Sequence, residues 1–295
     1  MNATQYVRPK DVAEALAVLG AHTPDAQVIA GGTDLLPVMR KSRFENGDGD
    51  DARGLVLVDV GRLDELTGIR EEGGFLHVGG AATMAAIEAS PLLKQKAAVL
   101  ADAARSVGSP LVRNRATVGG NLATASPSAD TAPALLALDA VVTVAGASGE
   151  RQVPIADFFR GYRATALEAA DVIRDISIPV PSPAASGAFR KVGLRTADAI
   201  SVVCVAAVLE MDGDTCSSAR VALGAVAPVP LRALAVEEAL TGRRVDVAAA
   251  RDAAKRVHAH ISPIDDVRAS AEYRRWVAES VVARTILQAA GIEDD

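Results

Sequence analysis

Apolar side chains recur along this chain with two periods, and the switches between them mark its elements. Val12, Ala15, Leu16 and Leu19 stand at i, i+3, i+4 and i+7, the core face of a helix, with Asp11 placed as its N-cap. Gln27–Ala30 reads as a short buried strand and Thr33–Met39 as a short helix. Leu55–Val58, Phe75–Val78 and Ala140–Val144 are strand-like, whereas Thr83–Glu88, Pro91–Val107 and Thr131–Leu138 are helix-like. Gly108-Ser109-Pro110 breaks the pattern between them. The clearest boundary is Ile178–Gly187, where Pro179, Pro181 and Pro183 alternate and forbid a regular helix. Beyond it, Gly187–Leu194, Ile200–Met211 and Ser217–Ala225 read as strands, with Asp212-Gly213 a hairpin signal. Leu231–Leu240, Val247–His258 and Ala271–Ala290 read as helices, which predicts a second α+β domain of antiparallel sheet on helices.

Two diglycines interrupt this pattern. Val28-Ile29-Ala30-Gly31-Gly32-Thr33-Asp34-Leu35 runs from the predicted strand into the predicted helix, and Thr117-Val118-Gly119-Gly120-Asn121 repeats the design. Glycine reaches positive φ and lets backbone approach a ligand closely, so successive N–H groups can form an anion-binding nest. A helix beginning at Thr33 would aim its free N–H groups and dipole at the same point. The dipole contributes only about 0.3–1 kcal/mol, so it assists such a nest without replacing it. Taken singly, each diglycine also reads as an ordinary tight turn.

Composition narrows the chemistry. The chain of 295 residues is 49% hydrophobic and 23% charged, as expected of a globular protein with room for two domains. Its net charge of −6 argues against nucleic-acid binding and leaves any anion dependent on local donors. No stretch has the apolar length of a membrane span and no signal-peptide pattern is present, so a cytoplasmic location is expected. Asn46, Asp48 and Asp50 imitate the start of a calcium loop, but Asp51 and Leu57 stand where Gly and Glu are required, so Arg43–Arg53 reads as a solvated loop. The two cysteines, Cys204 and Cys216, cannot hold a four-thiolate cluster, and no metal site is expected. Cys204 reads as a buried small hydrophobe, and a disulfide is disfavoured. His22, His77, His258 and His260 form no ligand set, and the last two read as surface residues.

The run Arg113–Asp130, with Ala30-Gly31-Gly32-Thr33-Asp34, Arg190-Lys191-Val192-Gly193 and Asp266–Arg275, closely resembles the FAD-binding subunit of the molybdenum hydroxylases. That family includes xanthine dehydrogenase and aerobic carbon monoxide dehydrogenase, and the likeness covers nearly the whole chain in order. It implies an α+β fold. A vanillyl-alcohol-oxidase-type FAD domain would occupy 1–179, in lobes of about 1–60 and 61–179. A smaller C-terminal flavoprotein domain would occupy 184–291. A Rossmann fold is not implied, and no Gly-x-Gly-x-x-Gly follows a strand here.

The resemblance also implies roles. Val28, Ile29, Ala30, Gly31, Gly32, Thr33, Asp34 and Leu35 would follow the FAD diphosphate, faced by Thr117, Val118, Gly119, Gly120 and Asn121. Thr33 and Asn121 would donate to phosphate, each bond worth about 1.5–3 kcal/mol. Asp130 would accept from ribose or ribityl hydroxyls, Ile173 would meet the flavin edge through its backbone, and Lys191 would approach the pyrimidine edge. Val107 stands where some relatives carry an aromatic residue. Without the family context, Asp130 reads first as a cap for the helix at Thr131 and Lys191 as a surface lysine, while Asn121 reads equally as a turn residue. Glu272–Trp276 reads as a packing or subunit-contact segment, with Trp276 in the core.

No catalytic acid or base is evident, and no His or Cys in the glycine windows offers covalent flavin attachment, so FAD is expected to be non-covalent. The expected role is electron transfer within a hetero-oligomer. Molybdopterin would sit on a large subunit and two [2Fe–2S] clusters on a small one, in a dimer of heterotrimers. This chain would pass electrons to an acceptor such as NAD or a quinone. Gly31-Gly32-Thr33-Asp34, in place of the His-Ser variant of some carbon monoxide dehydrogenases, leans toward a purine or other N-heterocycle as substrate. A carbon monoxide dehydrogenase medium subunit, a free-standing flavin oxidase and a non-redox nucleotide-binding scaffold are the alternatives.

Overall fold

Asp11 begins the first helix as its pattern requires: its carboxylate accepts from the Glu14 N–H at 2.8 Å. The computed structural model describes residues 5–46 and 55–293, so 47–54, which hold most of the acidic segment, lie outside the described residues. The first lobe contains β1 (Gln5–Val7), α1 (Val12–His22), β2 (Ala26–Ile29), α2 (Leu35–Asn46) and β3 (Val56–Asp59). Its parallel sheet has the order β1-β3-β2. Arg43–Asn46, expected in the solvated loop, instead continue α2.

The second lobe is built on β4 (Ile69–Glu72), β5 (Phe75–Gly79), β6 (Val141–Gly146), β7 (Gly149–Pro154) and β10 (Val172–Pro179), ordered β4-β5-β10-β6-β7. Between β5 and β6 run α3 (Met84–Ala89), α4 (Pro91–Lys96), α5 (Ala98–Arg105), α6 (Pro110–Arg113), α7 (Val118–Thr124) and α8 (Thr131–Ala137). The expected helix Pro91–Val107 is broken at Ala97, whose φ of −144° is not helical. After β7 come α9 (Ile155–Phe158) and a separate small hairpin, β8 (Phe159–Gly161) with β9 (Ala164–Thr165). Leu76, Val78, Val142, Val144, Ile176 and Ile178 point from the sheet into one core with these helices.

The third sheet carries β11 (Ala185–Gly193), β12 (Ser201–Asp212), β13 (Thr215–Gly224) and β14 (Leu231–Arg232), all antiparallel. The Asp212-Gly213 hairpin forms, with Gly213 at φ 57°. Helices α10 (Leu234–Leu240), α11 (Val247–Ala254) and α12 (Ala271–Ala289) cover one face, and β15 (Arg243–Arg244) adds to an edge of β13. Leu231 and Arg232, expected in a helix, pair instead with Leu223 and Ala222. Strand β12 is buried on both faces. Cys204, Ala206 and Val208 join the second-lobe core, whereas Val203, Val205, Ala207 and Leu209 join the core under α10–α12.

Trp276 is corrected: it is 69% exposed rather than in the core. The buried stripe of α12 runs through Arg274, Ala278, Val281, Val282, Thr285 and Ile286, and position 276 falls off it. His260 is also corrected, because it is half-buried and its Nε2 accepts from the Ala235 N–H at 3.0 Å near the start of α10. His258 is exposed, 2.8 Å from Glu279. Both cysteines are free and buried, and no metal-binding group of His, Cys, Asp or Glu occurs among the described residues.

The segment before α12 explains the Asp266–Arg275 pattern. Asp266 accepts from the Arg268 and Ala269 N–H groups and from Arg274 and Arg268, while Arg274, 3% exposed, also donates to the carbonyls of Val202 and Ala225. Burial alone raises a carboxyl pKa, but these donors outweigh it and hold Asp266 at about 2. The unfolded chain then takes up the proton more readily, so this stabilisation is present above about pH 4 and lost as pH falls toward 2. An Asp266→Asn variant should therefore melt below the wild type at pH 7, with the gap closing between pH about 4 and about 2 in parallel thermal scans.

Candidate functional site

A cleft of about 600 Å³ opens between the two N-terminal lobes and reaches the start of the third sheet. One wall is the turn from β2 to α2. Ile29 ends the strand, Gly32 adopts φ 71°, and the Leu36 N–H bonds the Gly32 carbonyl at 3.1 Å to begin the helix. Among the described residues, no protein acceptor meets the N–H groups of Gly31, Gly32, Thr33, Asp34 and Leu35, all of which line the cleft. These are the orphan donors of a helix start, and backbone of this kind prefers an anion.

The opposite wall is α7, and here the expectation of a second glycine turn is corrected. Gly119 and Gly120 lie in the first turn of the helix, neither at positive φ. Their N–H groups are occupied: Val118 donates to Ala82, Gly119 to Gly80 and Asn121 to Thr117 carbonyls, and Gly120 donates to the Thr117 hydroxyl. Gly119 is glycine for packing, since an added Cβ would lie 2.5 Å from the Gly80 carbonyl oxygen. The donor on this wall is a side chain. The Thr131 hydroxyl donates to Asn121 Oδ1 at 2.6 Å, which leaves the Asn121 amide N–H groups as donors to the cleft.

The two walls are held in van der Waals contact at Gly31, where an added Cβ would fall 2.0 Å from the Arg115 carbonyl oxygen. Val28, Ile29, Ala30, Gly31, Gly32, Thr33, Asp34, Leu35, Val107, Thr117, Gly120, Asn121 and Asp130 all line the cleft. Val118, Gly119, Ile173 and Lys191 do not. Val118 and Gly119 are buried in the first turn of α7. The Ile173 carbonyl packs against Gly80, where an added Cβ would approach to 2.1 Å.

Lys191 is turned inward. Its ammonium donates to Asp130 Oδ2 at 2.6 Å and to the Ser106 carbonyl at 2.9 Å. The Ser201 hydroxyl takes Asp130 Oδ1. Asp130 makes no cap to α8, so that alternative is removed. Burial pushes the Asp130 carboxyl up, against the pull of Lys191 and Ser201. Each oxygen keeps a lone pair for a hydroxyl donor at this end of the cleft.

Several cleft residues were not singled out in the sequence. Thr124 donates to Asp34 at 3.3 Å, and Gly108, read only as a breaker, accepts from the Asp198 N–H at 3.1 Å. Ala199 and Ile200 come from the β11–β12 connection. Thr124 lies inside the quoted Arg113–Asp130 motif, whereas the connection carries no local signal. The arrangement fits an extended ligand with a central diphosphate: free backbone donors on one wall, an amide donor on the other and a buried carboxylate for hydroxyls at one end.

Comparison with known proteins agrees. Residues 2–181 match the family described as FAD binding domain in molybdopterin dehydrogenase, and residues 187–289 match the CO dehydrogenase flavoprotein C-terminal domain. The carbon monoxide dehydrogenase medium chain of Hydrogenophaga pseudoflava is 35% identical, over 96% of this chain and 95% of its own. The nicotinate dehydrogenase FAD-subunit of Eubacterium barkeri is also 35% identical, over 81% and 79%. The solved carbon monoxide dehydrogenase of Hydrogenophaga pseudoflava superposes with a TM-score of 0.90 at 36% identity, covering 98% of this chain and 97% of that one. With both halves matched in order around such a cleft, the chain belongs to the family of FAD-binding medium subunits of the molybdenum hydroxylases.

Proposed function

We propose that this chain is the FAD-carrying electron-transfer subunit of a molybdenum hydroxylase complex. The observation that carries the reading is the row of unclaimed N–H groups from Gly31 to Leu35, facing the Asn121 amide across the cleft. Bound there without a covalent link, FAD supplies reversible storage of two electrons between a one-electron donor and an external acceptor. The residues of this chain hold it. Val28–Leu35 line the diphosphate, with Gly31, Gly32 and Thr33 at its centre. Asn121 donates from the opposing wall, which Thr117, Val118, Gly119 and Gly120 shape. Asp130 accepts from sugar hydroxyls and Lys191 keeps it in place. Val107 bounds the flavin end, and the Ile173 backbone lies behind that wall, packed on Gly80.

On this reading residues 1–179 form the FAD domain, in lobes of about 1–60 and 61–179, and residues 184–291 form the C-terminal flavoprotein domain. Molybdopterin belongs to a large partner subunit and the [2Fe–2S] clusters to a small one, in a cytoplasmic dimer of heterotrimers. The acceptor is a molecule such as NAD or a quinone, and the complex oxidises a purine or other N-heterocycle, in line with the nicotinate dehydrogenase relative. Carbon monoxide as substrate is the second reading, favoured by the medium-chain relative of equal identity. No described helix is long and apolar enough to cross a membrane.

Two experiments test this. Purified with its co-expressed partners, the complex should carry FAD, and its visible flavin absorbance should bleach when an N-heterocycle or carbon monoxide is added anaerobically. Turnover of a small substrate by the isolated chain would instead favour a free-standing oxidase. Within the cleft, Gly31→Ala should reduce FAD retention on gel filtration more than Gly32→Ala. The first drives a Cβ into the Arg115 backbone, whereas the second costs about 1–2 kcal/mol of left-handed strain against the movable Leu36 side chain. Equal retention by the two variants and the wild type would sink the assignment of the donor loop.

A further inference from the structure

The cleft is built for an anion and yet is lined by carboxylates. Asp34, Asp130 and Asp198 line it, and Arg163 is the one cation that does so among the described residues. Asp130 is neutralised by Lys191 at 2.6 Å, and Asp198 lies 3.7 Å from Arg195. Asp34 sits among the free N–H donors themselves, where an unopposed carboxylate would repel a diphosphate. Its partners are the Thr124 hydroxyl at 3.3 Å and the Arg163 guanidinium at 3.6 Å, the latter too long for a hydrogen bond.

Arg163 occupies the tip of the β8–β9 hairpin, which pairs with no other sheet. Tyr162 and Arg163 form its two-residue loop, closed by the Gly161–Ala164 pair, and Arg163 adopts φ 53°. Glycine or asparagine takes that conformation readily, and arginine does so at a cost. The hairpin therefore spends strain to present a guanidinium, 44% exposed, beside the donor loop. A planar guanidinium can bond two oxygens at once. Near Asp34 it is within reach of a carboxylate and a phosphate together.

We propose that Arg163 is a diphosphate-binding residue of the FAD site, bridging Asp34 and a phosphate oxygen from the hairpin and supplying the positive charge that the cleft otherwise lacks. This rests on the FAD reading above and adds a third element to the two walls. The β8–β9 hairpin becomes a strap across the diphosphate. It also gives Asp34 a purpose, as the anchor that holds the guanidinium over the free N–H groups of Gly32 and Thr33.

The test uses the full chain and two ligands that differ in phosphate. FAD and riboflavin are titrated by flavin fluorescence into the wild type, Arg163→Ala and Tyr162→Ala, with melting curves to show that each variant folds. Arg163→Ala should weaken FAD by about tenfold or more and leave riboflavin unchanged. Tyr162→Ala should match the wild type. Because the guanidinium is partly exposed, raising salt should weaken FAD more steeply in the wild type than in Arg163→Ala. Unchanged FAD affinity in Arg163→Ala, or equal losses for FAD and riboflavin, overturns the proposal while the FAD reading stands. A folded wild type that takes up no FAD overturns both.

Discussion

The contact between Gly31 and the Arg115 carbonyl is the constraint on which the site depends. No side chain fits there, because even a methyl carbon would lie 2.0 Å from the oxygen. Through that contact the β2–α2 turn of the first lobe meets the segment that leads into α7 of the second. Without it, the free donors from Gly31 to Leu35 and the Asn121 amide would belong to separate surfaces. A comparable approach recurs behind α7, where Gly119 meets Gly80 and Gly80 meets Ile173. Glycines thus serve two purposes here. Gly32 provides a backbone conformation, whereas Gly31, Gly80 and Gly119 provide proximity.

The far end of the cleft is held by the C-terminal domain. Strand β12 begins at Ser201, whose hydroxyl takes one oxygen of Asp130, and β11 contributes Lys191, which takes the other. Strand β12 is pinned from beyond. Arg274 on α12 reaches the carbonyl of Val202, next to Ser201, and is itself fixed by Asp266. Since β12 is buried on both faces, the helices α10–α12 are mechanically continuous with the cleft although they contribute no residue to it. That continuity accounts for the Asp266–Arg275 motif, which lines no part of the site.

Much of this was legible in the sequence, for identifiable reasons. Elements whose periodicity is local and capped were readable: α1 with Asp11, the β12–β13 hairpin with Asp212-Gly213, and the long α12. Strand β10 has no legible pattern although it lies at the centre of its sheet. A register shift between Ile173 and Asp175 puts Ile173 out of phase with Ile176 and Ile178, so no simple alternation survives. The β2–α2 donor loop was legible because strand, diglycine and helix are contiguous. The second diglycine reads as a turn because glycine chosen for close packing looks the same in sequence as glycine chosen for positive φ. Arg163 left no signal at all, since its meaning comes from the hairpin that carries it to Asp34.

Charge explains why the site takes this form. With a net charge of −6 the chain offers no general attraction for an anion, and the described cleft adds carboxylates of its own. Neutral backbone N–H groups solve this without altering the surface charge, and they are fixed by the fold rather than by flexible side chains. On the proposed reading, the Asp130 carboxylate in the same cleft then selects another part of the ligand. Asp130 accepts from hydroxyls but not from phosphate, so the donor loop and the buried acid impose a direction on any molecule that carries both groups. A ligand entering in reverse would set phosphate against Asp130 and hydroxyls against unpaired N–H groups. On the proposed reading, the cleft orients its cofactor by the separation of donor and acceptor ends, before any contact with the flavin ring is counted.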